Sequence, residues 1–160
     1  MIILVIPVTI CLLISAKVGN EIGHAKIIKI SAFVFFAAPL LSFFSFHFVM
    51  FTVCNLVLPC SAFAMSLVPI FTCMYSYFHK NKSLVTAMAI GSFSIGAIVW
   101  NLAVTLAINS DNIIPEIKTE DPNLNFFMKD ISDKVPKTIN YAYLGSGILF
   151  LIGSFLISFN

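Results

Sequence analysis

Apolar positions run through this chain in long unbroken stretches, interrupted by short polar punctuation. Five stretches predict membrane-crossing helices at about 1–16, 27–46, 48–78, 83–108 and 142–159. A bilayer core about 30 Å thick requires roughly 20 apolar residues in a helix. Barrel strands alternate apolar and polar residues over about 10 positions. These runs are apolar all round, so helices that satisfy their own backbone groups are expected. Residues 109–140 form a long polar loop, and the whole chain, 1–160, reads as one partial transmembrane domain.

Composition agrees. Hydrophobic residues are 59%, charged residues 10%, and mean hydropathy is +1.01. A soluble domain carries about 25% charged residues, so the expectation is an all-α, multi-pass integral membrane protein with the lipid bilayer as its main partner. Which cellular membrane holds it is not written in the sequence.

Lysine sets the orientation, because there is no arginine. Lys17, Lys26 and Lys29 crowd the first turn, and Lys80 and Lys82 the third. The positive-inside rule makes both cytoplasmic; loop 109–140 carries Lys118, Lys129, Lys134 and Lys137, but it is long and also holds six acidic residues, and it is placed outside. The stretch 1–16 is short for a span, about 24 Å at 1.5 Å per residue. It reads as a helix whose beginning lies elsewhere, making the chain a slice of a longer protein. The sequon Asn81, Lys82, Ser83 then lies inside and unused. Cys11, Cys54, Cys60 and Cys73 fall in apolar runs without CxxC spacing. They read as packing residues rather than a disulfide framework or metal site.

Polar residues inside the runs are the candidate chemistry. In 83–108, Ser83, Thr86, Ser94, Asn101 and Thr105 form one stripe at about 100° per residue. The opposite face holds Ala89, Ser92, Gly96, Ala103 and Ala107, small residues that let helices pack closely in lipid. In 48–78, Thr52, Asn55, Ala62, Ser66, Cys73 and Tyr77 share a face, with Pro59 and Pro69 beside it. Asn55, Ser66, Thr86, Ser94 and Asn101 are the candidates for a substrate path. A hydroxyl in a membrane helix more often bonds its own backbone. Asn55 and Asn101 stand out because a carboxamide is costly in hydrocarbon without partners. No Asp, Glu, Lys or Arg lies deep in any run. His47, Tyr141 and Tyr143 read as interfacial residues, and Trp100 as core filling or a cavity wall. Leu124, Phe127, Met128, Ile131 and Val135 recur at helical spacing, predicting a short surface helix ended by Pro136.

Several pieces together resemble the major facilitator superfamily, in its oxalate/formate antiporter and monocarboxylate-carrier branch. Pro69 followed by Tyr77, Phe78, His79, Lys80, Asn81, Lys82, Ser83 and Leu84 is the most specific. It is similar to that branch's proline late in helix four, aromatic pair, basic turn and small-residue helix five. Ile108 to Asn112 with Pro115 is similar to the exit from helix five, and Phe126, Phe127, Val135 and Pro136 to the approach to helix six. Ala16 to Lys26 sits where the family has its signature loop. Gly23 and Lys26 fit it. Asn20 stands where an aspartate is usual, Glu21 where an arginine is usual, and Ala16 where the first glycine is usual, which puts that loop's latch in question. The resemblance implies that the spans are helices two to six of the amino-terminal half. It makes Gly19, Asn20, Glu21, Gly23 and Lys26 gating-loop residues. It also implies alternating-access transport of a small solute, an organic anion such as a monocarboxylate. The first helix and the second transporter half would be supplied from outside this chain. The competing reading is a small multispan scaffold or a non-functional transporter fragment. No enzyme motif, cofactor motif, metal cluster or nucleic-acid-binding pattern is present in the sequence.

Overall fold

The structure is a computed structural model that describes residues 2–45, 47–110, 117–118, 125–126 and 129–157, with side chains over 5–45, 47–110 and 133–157. Asp111, Asn112, Pro115, Leu124, Phe127 and Met128, and the side chains of Phe126 and Ile131, lie outside it. Helix α1 is Ile2–Ile22 and α2 is His24–Ser42. Helix α3 is Phe48–Tyr77, α4 is Lys82–Ile108 and α5 is Lys129–Leu156. All five are long and apolar enough to cross a membrane. Between α4 and α5, Ile117–Lys118 pairs antiparallel with Asn125–Phe126.

Two boundaries differ from the sequence reading. The first helix does not stop at Ala16 but continues through Lys17, Gly19, Asn20 and Glu21 to Ile22. Its 21 residues span about 31 Å. Polar side chains in a last turn reach back to water, so they do not end a helix. The expected gating loop is thereby reduced to Gly23, the single residue between α1 and α2. Its φ of 94° and ψ of 136° reverse the chain. Gly19 is buried under the His24 imidazole, while Asn20, Glu21 and Lys26 are exposed. At the other boundary, Pro136 does not end a separate surface helix. Lys129–Leu156 is continuous through it, because a proline costs one backbone bond and neighbouring helices can compensate.

Helix α2 is the centre of the bundle and packs against α3 and α5, while α1 lies on α3. The α2–α5 pair is antiparallel. Ser42 Oγ donates to Asn140 Oδ1 at 2.6 Å at one end. Phe35 meets Tyr143 and Phe150 further along. Lys29 Nζ lies 5.7 Å from the Phe155 ring centre at the other end. This pairing places the end of α5 beside the start of α2, at the lysine-bearing end.

Close packing is achieved with small side chains. Along α3, Pro59, Ala62, Ser66, Pro69 and Cys73 are all buried, at alternating three- and four-residue steps that make one continuous seam. Along α5, Asn140, Gly147 and Ser154 are buried at seven-residue steps. In α4 the pattern inverts. Only Val85 is buried; Ser92, Gly96 and Ala103 are exposed and Ala89 is half-buried. The small-residue face expected to pack tightly is thus largely uncovered: nothing lies within 4 Å of a Cβ built on Gly96, while Ala103 and Ala107 line a small cavity against α5. Helix α4 touches the bundle at three levels: Thr86 with Tyr75, Phe93 edge-on to Phe63, and Trp100 beside Gly145.

Candidate functional site

Where α4 stands away from α3 and α5, a cavity of about 540 Å³ opens between them. Phe48, Phe51, Thr52, Asn55 and Leu56 of α3 form one wall. Trp100, Asn101 and Val104 of α4 form the second, and Ile139, Ala142, Tyr143 and Ser146 of α5 the third. Asn55 is seven residues from the start of α3, and Asn101 seven from the end of α4. At 1.5 Å per residue, both lie about 10 Å in from the end where α3 begins and α4 finishes.

Asn55 has an unusual backbone. Val53–Val57 is a π turn inside an otherwise α-helical α3. An extra residue per turn widens the helix, and such turns gather at functional sites. Asn55 sits in its middle, 4% exposed. Its Nδ2 donates a long 3.3 Å bond to the Phe51 carbonyl. Its Oδ1 is buried and has no hydrogen-bond partner among the described residues.

The five substrate-path candidates separate here. Asn55 and Asn101 both line the cavity. Ser66 is fully buried in the α3 seam, with its hydroxyl donated to the Phe63 carbonyl at 2.7 Å. Thr86 bonds Tyr75 Oη at 2.7 Å and the Lys82 carbonyl at 2.9 Å. Ser94 is exposed and donates to the Ile90 carbonyl. These three take no part in the cavity wall.

Sequence reasoning missed Tyr143 and Ser146. Tyr143, expected as an interfacial anchor, lies well inside α5 and is half-buried against Phe35. The polar loop 109–140 disguised this, because α5 begins at Lys129 and carries Tyr143 inward. Trp100 is a cavity wall, 39% exposed, rather than core filling. His47 is exposed at the start of α3, as an interfacial histidine should be.

Among the described lining residues there is no Asp, Glu, Lys, Arg or His. These residues set carboxamide, hydroxyl, phenol and indole groups in apolar walls. That is the usual make-up of a small-molecule site, mostly apolar with a few placed polar groups. Comparison of the chain with protein-family models, curated proteins and solved structures finds no match.

Proposed function

We propose that this chain forms part of a secondary carrier that moves a small organic solute by alternating access, with monocarboxylates the first class to assay. The observation that supports it is the meeting of Asn55 and Asn101 on one cavity, framed by Trp100 and Tyr143. Two carboxamides from different helices would be an expensive ornament in a purely structural bundle. Carrier sites lie between rocking helix bundles and often involve irregular helices, and the π turn at Asn55 is a local irregularity in a continuous α3. The exposed Ser92 and Gly96 on α4 suit close approach by a further helix, as a second transporter half would supply.

Substitution of Asn55 or Asn101 by Ala is expected to lower uptake by the full carrier about tenfold, one or two lost hydrogen bonds, with abundance unchanged. A matching fall in abundance would instead support the scaffold reading. That reading draws on the many hydroxyls already bonded to their own helix, such as Thr9, Ser15 and Thr72.

In this scheme the lysine end is cytoplasmic. Asn81, exposed where α3 turns into α4, then stays unglycosylated in a eukaryotic host. A sequon engineered into residues 111–116 is modified there. A glycan on Asn81 reverses the orientation.

A further inference from the structure

We propose that Asn55 Oδ1 accepts a hydrogen bond from a hydroxyl of the carried solute, so that the cavity selects hydroxylated small molecules over their deoxy counterparts. This deepens the carrier reading and rests on it.

The argument begins from the unpartnered acceptor. A buried amide oxygen without a donor forfeits its hydration and gains nothing in return. The Thr52 and Ser146 hydroxyls do not repair this. Thr52 donates to the Phe48 carbonyl at 2.9 Å and Ser146 to the Ala142 carbonyl at 3.0 Å. Each keeps only lone pairs, which are acceptors, for the cavity. The Asn55 amide is itself held by one bond at 3.3 Å, long for N–H···O, and a turn of this side chain would bring its buried oxygen to an incoming donor.

The chemistry of that donor follows from the lining. Among the described lining residues an ammonium would find no carboxylate, and a carboxylate no cation. What fits is a neutral O–H on a largely apolar skeleton. Phe51, Leu56, Val104 and Ile139 would cover the skeleton, with Asn101 close by for a second polar atom. A volume of about 540 Å³ falls in the usual range for small-molecule sites, about 300–1,000 Å³. If the solute also carries a carboxylate, that charge lies beyond these walls, so the hydroxyl belongs at the far end of the molecule from it. A site built around a substrate hydroxyl rejects the analogue lacking it, because its own polar group is then left unpaired.

The test compares ω-hydroxybutanoate with butanoate in proteoliposomes of the full carrier. Wild type should favour the hydroxylated acid about tenfold. Asn55→Leu should bring the two acids to equal uptake, by lowering that of ω-hydroxybutanoate about tenfold. Absence of a preference in wild type, or its survival in the variant, overturns the assignment while leaving the carrier reading intact. Uptake of neither acid overturns the carrier reading for this solute class and the assignment with it. Should Asn55→Leu fail to accumulate, thermal unfolding of detergent-solubilised wild type decides. Stabilisation by ω-hydroxybutanoate and not by butanoate upholds the assignment, and equal or no stabilisation overturns it.

Discussion

Gly147→Leu is expected to open the α2–α5 interface and to lower the stability of the bundle by about 3 kcal/mol, the upper part of the range for overpacking. Gly147 is buried, and a Cβ built on it falls 2.9 Å from Phe36 Cα and 3.4 Å from Phe36 Cβ. The first of these atoms is backbone, so no rotamer change relieves the clash and the two helices must separate. Separation stretches the contacts on either side, namely Phe35 with Tyr143 and Phe150, and Ser42 with Asn140. The interhelical hydrogen bond alone is worth about 0.6 kcal/mol on average in membranes, so most of the loss is packing. Gly153 supplies the control. It lies on the same helix with nothing within 4 Å of a built Cβ, and Gly153→Ala should be neutral or slightly stabilising. Unfolding titrations in mixed detergent micelles compare the three proteins. Equal midpoints for Gly147→Leu and wild type would show that the helices do not approach this closely.

The second large effect belongs to the turn between α1 and α2. Gly23→Ala is expected to cost about 1–3 kcal/mol, the usual penalty for a residue held in a sparsely populated backbone region. At φ 94° and ψ 136° a side chain meets its own backbone. No outside atom is involved, since nothing lies within 4 Å of the built Cβ. The turn cannot shift the strain to a neighbour. Gly23 N–H already donates to the Gly19 carbonyl at 3.1 Å, and its own carbonyl accepts from Ile27 N–H at 3.4 Å. The same micelle titration reads the loss, and limited proteolysis shows whether the α1–α2 junction has become accessible. A variant as stable and as protected as wild type would mean that the junction tolerates another geometry.

The two glycines show which parts of this fold were legible in the sequence. Gly23 was placed at a turn from its neighbours, but the same neighbourhood hid that α1 runs on to Ile22. The end of a membrane helix is set by where water begins, and lysine stems blur that line. Asn55 and Asn101 were legible because hydrocarbon offers a carboxamide no partner. Ser66, Thr86 and Ser94 were not separable from them, because a hydroxyl can turn back to its own helix and no sequence pattern records whether it does. The seams were half legible. Small residues at three- and four-residue steps occur on both α3 and α4, and only the fold shows that Pro59, Ala62, Ser66, Pro69 and Cys73 are covered while Ser92 and Gly96 are bare. The π turn has no signature in its residues.

The length of α4 has a consequence for the cavity. Its 27 residues make about 40 Å of helix, against a hydrocarbon core of about 30 Å. A span longer than its bilayer tilts, bends or thickens the lipid around it. With one buried residue, α4 is held by few contacts among the described residues. Its lean is therefore governed by acyl-chain length as much as by the bundle. Trp100 and Asn101, which close one side of the chamber, ride on that lean. In the proposed carrier, membrane thickness would thus become a dimension of the site, and two bilayers of different depth would present the same solute with chambers of different width.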